Sequence, residues 1–360
     1  MEMSRQDMSP DRSMRLALLL AGGGARCRRL LASSAPGSDV SVELERRGLP
    51  AAMLRTVRQL IRSDVAEVLQ RAGRDGWRWV VPGEPEFPAL LRATADPPLG
   101  LFVKGRIRRG PAVAVVGSRR ATEYGLEVGR LIAEALASSG IAVVSGMARG
   151  VDASAHRGAL AGGGCTMAVW GNGPDRIYPR EHRRLAESIA RTGALVTEYP
   201  PGTPPRRHHF PERNRLIAGI AEATVVVEAA ARSGALGTAR LALEEGREVF
   251  AVPGPIFSDR SVGPNSLLRL GARPLLTPAD LYEVVEPVRS PAGEPAAAVA
   301  GLLEHLPAGA AMSVDALAAE AGLDAAGVLA ELLQLEVDGR VVRGLDGRFR
   351  RVVGIADAPG

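Results

Sequence analysis

The sequence predicts a doubly wound, mainly parallel α/β sheet with a small helical region before it and a winged-helix segment after it. Three observations carry this reading. Short β-branched runs end in Gly or Ser, a helical stretch follows each of them, and three amphipathic helical segments precede a hairpin signal near the C-terminal end. A chain of 360 residues exceeds one typical core and suits two or three domains, and its 46% hydrophobic content is enough to fill them.

In chain order, residues 1–81 alternate arginine-rich helical patterns with breaks at Pro36 and Gly37, at 48–50 and at 73–76, which reads as a small helical domain. A connector follows over 82–111, irregular and Pro-rich through 98. The α/β domain spans 112–285. Its strands are AVAVVG (112–117), IAVVSG (141–146), CTMAVWG (165–171), ALVTEYP (194–200), ATVVVEAA (223–230) and EVFAVPG (248–254). Near-continuous apolarity suits strands covered by helices on both faces. The Pro/Ala-rich stretch 286–298 is a linker. Over 299–353, three helical segments and an alternating run around Asp346 and Gly347 form a winged-helix pattern.

Charge is distributed unevenly around a net +5 and a pI near 9.8. Residues 1–111 carry 19 basic and 12 acidic groups (+7), 112–285 carry 20 and 17 (+3), and 299–353 carry 5 and 8 (−3). The C-terminal segment is therefore the poorest polyanion surface. Lys104 is the only lysine, so arginine position carries more meaning than arginine number. Cys27 and Cys165 stand alone without a CxxC, which argues against a disulfide framework or a zinc site and fits a reducing cytosol. No apolar run approaches the ~20 residues of a membrane span, so a soluble cytoplasmic protein is expected.

Ligands of open α/β sheets bind outside the carboxyl ends of the strands. Those ends read GSRR (117–120), SGMARG (145–150), GNGPDR (171–176), EYPPG (198–202), EAAARSG (228–234) and VPG (252–254). Small residues let backbone N–H groups approach a phosphate, and Arg119, Arg149 and Arg232 are candidate counter-charges. A dinucleotide cofactor is not expected: the first turn lacks GxGxxG, and no acidic residue ends the second strand. Ser145, Asp152 and His156 lie close together, but without a GxSxG elbow the Asp and His are expected to brace the loop. His208 and His209 lack a third ligand, so no metal is expected. Cys165 reads as core.

The segment PPRRHHFPERNRLIAG (204–219) concentrates arginine around Phe210 and Asn214 at a loop entering a helix. With Pro211 at the first helical position, Arg213, Asn214 and Arg215 fall in the first turn, where the helix dipole disfavours cations. A bound polyanion is the simplest compensation, with Phe210 available to stack on a base, and the alternative is a solvated arginine face with Phe210 in the core.

Together these stretches resemble the DNA-processing protein A (DprA, or Smf) family of bacterial natural transformation. The motifs are VGSRRAT (116–122), SGMARGVDASAH (145–156), GNGPDRIYP (171–179), EYPPG (198–202), HHFPERNRLIAG (208–219), VVVEAAARSGALGTARLALEEGR (225–247), VFAVPG (249–254) and SVGPNSLLRLGA (261–272). The connector stretch 87–105 also looks like the family's lead-in. The resemblance implies an extended Rossmann-type domain preceded by a SAM-like helical domain and followed by a winged helix. It further implies a non-enzymatic, cofactor-free homodimer that binds single-stranded DNA, shields it from nucleases and loads the RecA recombinase. Carried over by motif, Ser118 and Arg119 hold a phosphate, Arg149 lines the same groove, Arg207 adds charge and Phe210 stacks on a base. Arg213, Asn214 and Arg215 complete the binding element, one or two of them as loop braces. Gly117, Gly146, Ser233, Gly234, Thr238 and Asn265 are structural or ligand-adjacent. The winged helix departs from a groove reader, since its would-be recognition helix (325–339) has acidic residues and no basic ones. A packing or protein-contact role suits it better, with Arg348, Arg350 and Arg351 leaving a weak backbone contact in the wing.

The rival is an enzyme of the Rossmann-type nucleotide monophosphate phosphoribohydrolase kind. SGALGTARLALEE (233–245) resembles the PGGxGTxxE element of those enzymes, with Ser233 and Ala235 replacing the Pro and the second Gly.

Overall fold

The computed structural model describes residues 9–32, 40–288, 302–303, 305–306, 311–322, 325–337, 340–344 and 347–351. The chain divides into two units, Met1–Arg289 and Ser290–Gly360.

The first unit is built on a nine-stranded sheet ordered β1-β2-β6-β5-β4-β3-β7-β8-β9. The strands are β1 (Arg78–Val80), β2 (Leu101–Gly105), β3 (Ala112–Val116), β4 (Ala142–Ser145), β5 (Thr166–Val169), β6 (Ala194–Thr197), β7 (Ala223–Val226), β8 (Glu248–Ala251) and β9 (Arg273–Pro274). All pairs from β6 to β9 are parallel, while β1–β2 and β2–β6 are antiparallel. The six expected strands are all present, each as a stretch of four or five residues within its run. Two strands in the stretch read as helical domain and irregular connector, β1 and β2, were not expected. Three and five residues long among Pro and Gly, they offer too little alternation to be read locally. β1 pairs only with β2, and the other partner of β2, β6, lies some ninety residues along the chain.

Side-chain alternation in β3 assigns the layers. Val113 and Val115 face one side, where α7 (Glu123–Ser138) and α8 (Val151–Ala161) supply Ile132, Leu136 and Ala155. Ala114 and Val116 face the other, where α10 (His209–Ile220) and α11 (Gly234–Glu244) supply Ile217 and Ala239. Each buried Val, Leu or Ile side chain here contributes about 1.5–3 kcal/mol. Thr122 starts α7 by accepting a bond from the Gly125 N–H. The two helices α7 and α8 pack closely because residue 158 is glycine: a Cβ there would lie 2.1 Å from the Arg130 carbonyl oxygen.

Helices α1 (Pro10–Leu20), α2 (Gly24–Ala32), α3 (Val40–Arg46), α4 (Ala51–Ser63) and α5 (Val65–Arg74) precede the sheet, while α6 (Ala89–Arg92) falls between β1 and β2 and α9 (Arg183–Thr192) between β5 and β6 along the chain. Pro10 opens α1, and the Ser9 hydroxyl accepts from the Arg12 N–H. These helices share one core with the sheet, in which Leu16, Leu44 and Val57 join Trp79, Phe102, Trp170 and Leu195. Trp77 meets Trp170 edge-on at 5.3 Å.

In the second unit, helices Val314–Ala321 and Ala325–Val337 precede the antiparallel hairpin Val341–Arg343 and Phe349–Arg351. Ser313 caps the first of these helices, Gly322 ends it in the left-handed region, and Leu317, Val328, Leu332 and Phe349 form the core. Most of the linker and the hairpin residue Asp346 lie outside the described residues.

Candidate nucleic-acid interface

The strand order reverses between β3 and β7, and a cavity of about 580 Å³ opens there, beyond the carboxyl ends of both strands. Its charge is lopsided. Arg119, Arg120, Arg207, Arg213 and Arg260 line it, and Asp152 is the only carboxylate among the lining residues.

The turn after β3 supplies one wall. Ser118 is buried, and its Oγ accepts from the Arg120 N–H at 3.1 Å and from Arg260 Nη1 at 3.3 Å. The turn can sit this low because residue 150 is glycine at φ 76°, where a Cβ would stand 2.1 Å from the Ser118 carbonyl oxygen. Arg119 is exposed, with its guanidinium 5.1 Å from the centroid of the Phe210 ring. Tyr178 packs against the same ring at 5.5 Å and is half-exposed at the rim. Phe210 is thus held between a cation and an aromatic, partly open to the cavity.

The floor is ionic. Arg213 is buried and donates through Nη1 to the Val169 carbonyl at 2.7 Å, while its Nε has no hydrogen-bond partner. Burial lowers its pKa to about 10 despite the nearby Asp152. Asp152 accepts from the N–H groups of Gly146 and Ala148, both at 3.2 Å, and burial raises its pKa against the pull of Arg213. Gly146 gives Arg213 its room, since a Cβ would lie 2.0 Å from the guanidinium. Gly117 is likewise needed, because a Cβ would meet the Val151 side chain at 2.6 Å.

The far wall belongs to α11. Ser233 caps that helix by accepting from the Ala235 N–H at 3.3 Å, and Ser233, Gly234 and Thr238 all line the cavity. Asn214 reaches across to donate to the Gly234 carbonyl at 3.2 Å.

Several expected placements need correction. The helix α10 begins at His209, so Pro211 is its third residue and Arg213, Asn214 and Arg215 lie in the second turn. The cost expected from cations in the first turn therefore does not arise. Consecutive helical residues point about 100° apart, and these three diverge accordingly: Arg213 into the floor, Asn214 toward the cavity, Arg215 away from it. Arg215 is held by an ion pair with Glu198, another with Asp96 at 3.5 Å and a bond to the Asp96 carbonyl at 2.8 Å. Arg149 is exposed and paired with Glu181 at 2.5 Å, outside the cavity lining, and Arg232 is also outside it. Asn265 works as a loop clamp, its side chain bonding both the N–H and the carbonyl of Gly254 at 3.2 and 3.0 Å.

Arg120, Tyr178 and Arg260 line the cavity without having been singled out from the sequence. Arg120 adjoins Arg119 in the same turn, and Tyr178 is the aromatic of GNGPDRIYP, so both carried a local signal. Arg260 lies 142 residues from its partner Ser118, and no local pattern announces it.

The Ser145, Asp152 and His156 trio is not an assembled triad. Ser145 donates to the Val115 carbonyl at 2.7 Å, and Asp152 braces the loop. His156 Nδ1 lies 2.7 Å from Thr166 Oγ1. That hydroxyl spends its proton on the Val143 carbonyl, so Nδ1 carries the imidazole proton. Burial lowers the His156 pKa to about 3. Among the described residues no group of three His, Cys, Asp or Glu could hold a metal ion, and no helix is long and apolar enough to cross a membrane.

Sheet order, switch-point cavity and hairpin-bearing second unit define an α/β protein of the extended Rossmann type followed by a winged helix. The family model of DNA recombination-mediator protein A matches residues 78–286, and that of the DprA winged helix domain matches 286–347. The chain belongs to the DNA recombination-mediator protein A (DprA/Smf) family. It is 48% identical over 208 residues to Protein Smf of Escherichia coli, covering 57% of this chain and 56% of that one. To the putative DNA processing protein DprA of Mycobacterium tuberculosis it is 42% identical over 310 residues, 79% of each chain. Among solved structures, DprA of Streptococcus pneumoniae superposes with a TM-score of 0.67 at 32% identity, over 78% of this chain and 99% of that one. DprA of Helicobacter pylori, described for its single-stranded DNA binding mode, gives 0.52 at 28% identity over 57% and 95%.

Proposed function

We propose that this protein binds single-stranded DNA without sequence preference, in the switch-point cavity, and delivers the strand to the RecA recombinase in DNA uptake. The observation that carries this reading is Phe210, partly open, in a cavity lined by arginines. A ring offers a π-face that every base can use, and the arginines neutralise the backbone on either side. Arg119, Arg120, Arg207 and Arg260 are the phosphate ligands in this reading, Ser118 orients Arg260, and Arg213 and Asn214 support the floor and wall. Arg149 and Arg215 act outside the cavity. The single-strand binding described for the Helicobacter pylori relative supports the substrate, and the family's designation as a recombination mediator supports the recombinase.

A homodimer in the cytoplasm completes the proposal. Leu270 and Leu276, both exposed, flank the edge strand β9, an apolar margin of the kind that a second copy covers. On the winged helix, Leu329 and Leu333 are exposed four residues apart on one helix face, which favours protein contact over groove reading. The proposal includes no catalytic step. Glu244 and Glu245, needed by the phosphoribohydrolase alternative, pair with Arg240 and with the Ala95 N–H outside the cavity lining.

The test is fluorescence anisotropy of labelled oligo-dT with a duplex competitor across a salt series. Salt-sensitive binding that prefers the single strand is expected, with a slope of about −0.7 per phosphate neutralised. Absence of binding at low salt, together with release of free base from a nucleoside monophosphate, would replace this reading with the enzyme.

A further inference from the structure

The loop between β8 and α12 (Val262–Arg269) is pinned along its length. Asn265 holds Gly254 by both its N–H and its carbonyl. Turn bonds run from the Ser258 N–H to the Pro255 carbonyl and from the Ser261 N–H to the Ser258 carbonyl, each at 3.0 Å. The Arg260 carbonyl accepts from the Ala229 N–H at 2.7 Å, and the Arg260 guanidinium reaches Ser118 in the cavity wall. On this fixed loop Phe257 is 96% exposed and Ile256 79%. A floppy loop scatters its apolar side chains, but a clamped one presents them, and the described residues of this unit leave the Phe257 ring almost wholly uncovered.

Resting on the single-strand reading above, we propose that Phe257 is a second stacking platform, which takes an unpaired base of the same strand after it leaves the Phe210 cavity. Continuity with the cavity is the first support. Phe257 lies three positions before the cavity-lining Arg260, so their Cα atoms are at most about 11 Å apart. The second is chemical. An aromatic beside an arginine is the pairing that single-strand channels use, a π-face for the base and a cation for the backbone. Asp259, exposed between the two, repels a phosphate at Phe257 itself, which leaves the base as the group this ring can hold. A second copy of the chain, docking along the apolar margin at Leu270 and Leu276, is the competing occupant.

The experiment compares the wild-type full chain with Phe257→Ala and Phe257→Tyr, using labelled oligo-dT of about 4 and about 16 nucleotides, the span of single-strand site sizes. Sedimentation of the same samples reads the oligomeric state. Loss of one stack is expected to raise Kd for the long oligonucleotide about 5- to 150-fold in Phe257→Ala, to leave the short one unchanged and to be rescued by Phe257→Tyr. The salt slope should not move. Equal affinity of Phe257→Ala and wild type for both lengths overturns the platform, and so does a loss of dimer that accounts for the weaker binding. If the wild type binds neither length, the single-strand reading itself fails and takes the platform with it.

Discussion

Replacing Phe210 by alanine tests the centre of the site, and the structure sets the size of the effect. A base stacked on an aromatic is worth about 1–3 kcal/mol. In the unbound protein the ring is not idle, because the Arg119 guanidinium stands 5.1 Å from its centroid. That cation–π contact is worth about 0.5–1 kcal/mol at an exposed site, and a base using the same face gives it up. Setting the weaker contact against the weaker stack and the stronger against the stronger, the net loss on Phe210→Ala is about 0.5–2 kcal/mol, or about 2- to 30-fold in Kd. No charge is removed, so the plot of log K against log salt should shift in parallel. Anisotropy with oligo-dT at four or five salt concentrations reads both quantities. The reasoning also requires coupling: in a double-mutant cycle Phe210→Ala should cost more in the Arg119→Ala background, where no cation competes for the ring. An unchanged Kd, or a slope that falls by the equivalent of a phosphate contact, would refute the stacking role.

Other perturbations separate ligand from scaffold. Arg119→Ala should reduce the salt slope by about 0.7, whereas Arg149→Ala, outside the cavity, should leave it unchanged in the same titration. Arg215→Ala breaks a largely buried pair with Glu198 and should cost about 3–5 kcal/mol in urea unfolding without moving the slope. Gly150→Ala forces an L side chain to φ 76° against the Ser118 carbonyl and should destabilise by more than about 1 kcal/mol, with loss of DNA affinity as the turn shifts. His156 links stability to acid: its pKa of about 3 lies below the ordinary 6.5, so as pH falls through 6.5 the unfolded chain takes a proton that the folded chain refuses. Stability from this group is complete above 6.5 and lost progressively toward 3, reaching about 2 kcal/mol at pH 5, and urea midpoints at pH 7 and 5 should show a smaller difference in His156→Gln.

Much of the architecture was legible because it is encoded over four to six consecutive residues. Apolar β-branched runs that end in Gly or Ser marked the six central strands, and the small-residue ends of those strands marked the side of the sheet where a ligand sits. Gly117, Gly146, Ser118 and Phe210 could be named from sequence because each fills its role at its own turn. Arginine could not be sorted in the same way. Arg119, Arg213, Arg215 and Arg149 look alike along the chain, yet one covers a ring, one forms the floor, one is locked by Glu198 and Asp96, and one pairs with Glu181. A long, flexible guanidinium goes where its acceptors are, and those acceptors lie on other elements, up to 119 residues away for Arg215 and the Asp96 carbonyl. The same holds for Arg260 at Ser118 and for β2 on β6. Local sequence determined the sheet, its binding edge and the glycines that let the chain come close there, while only the tertiary structure decided which cations face the ligand, because that choice is made by partners distant in sequence.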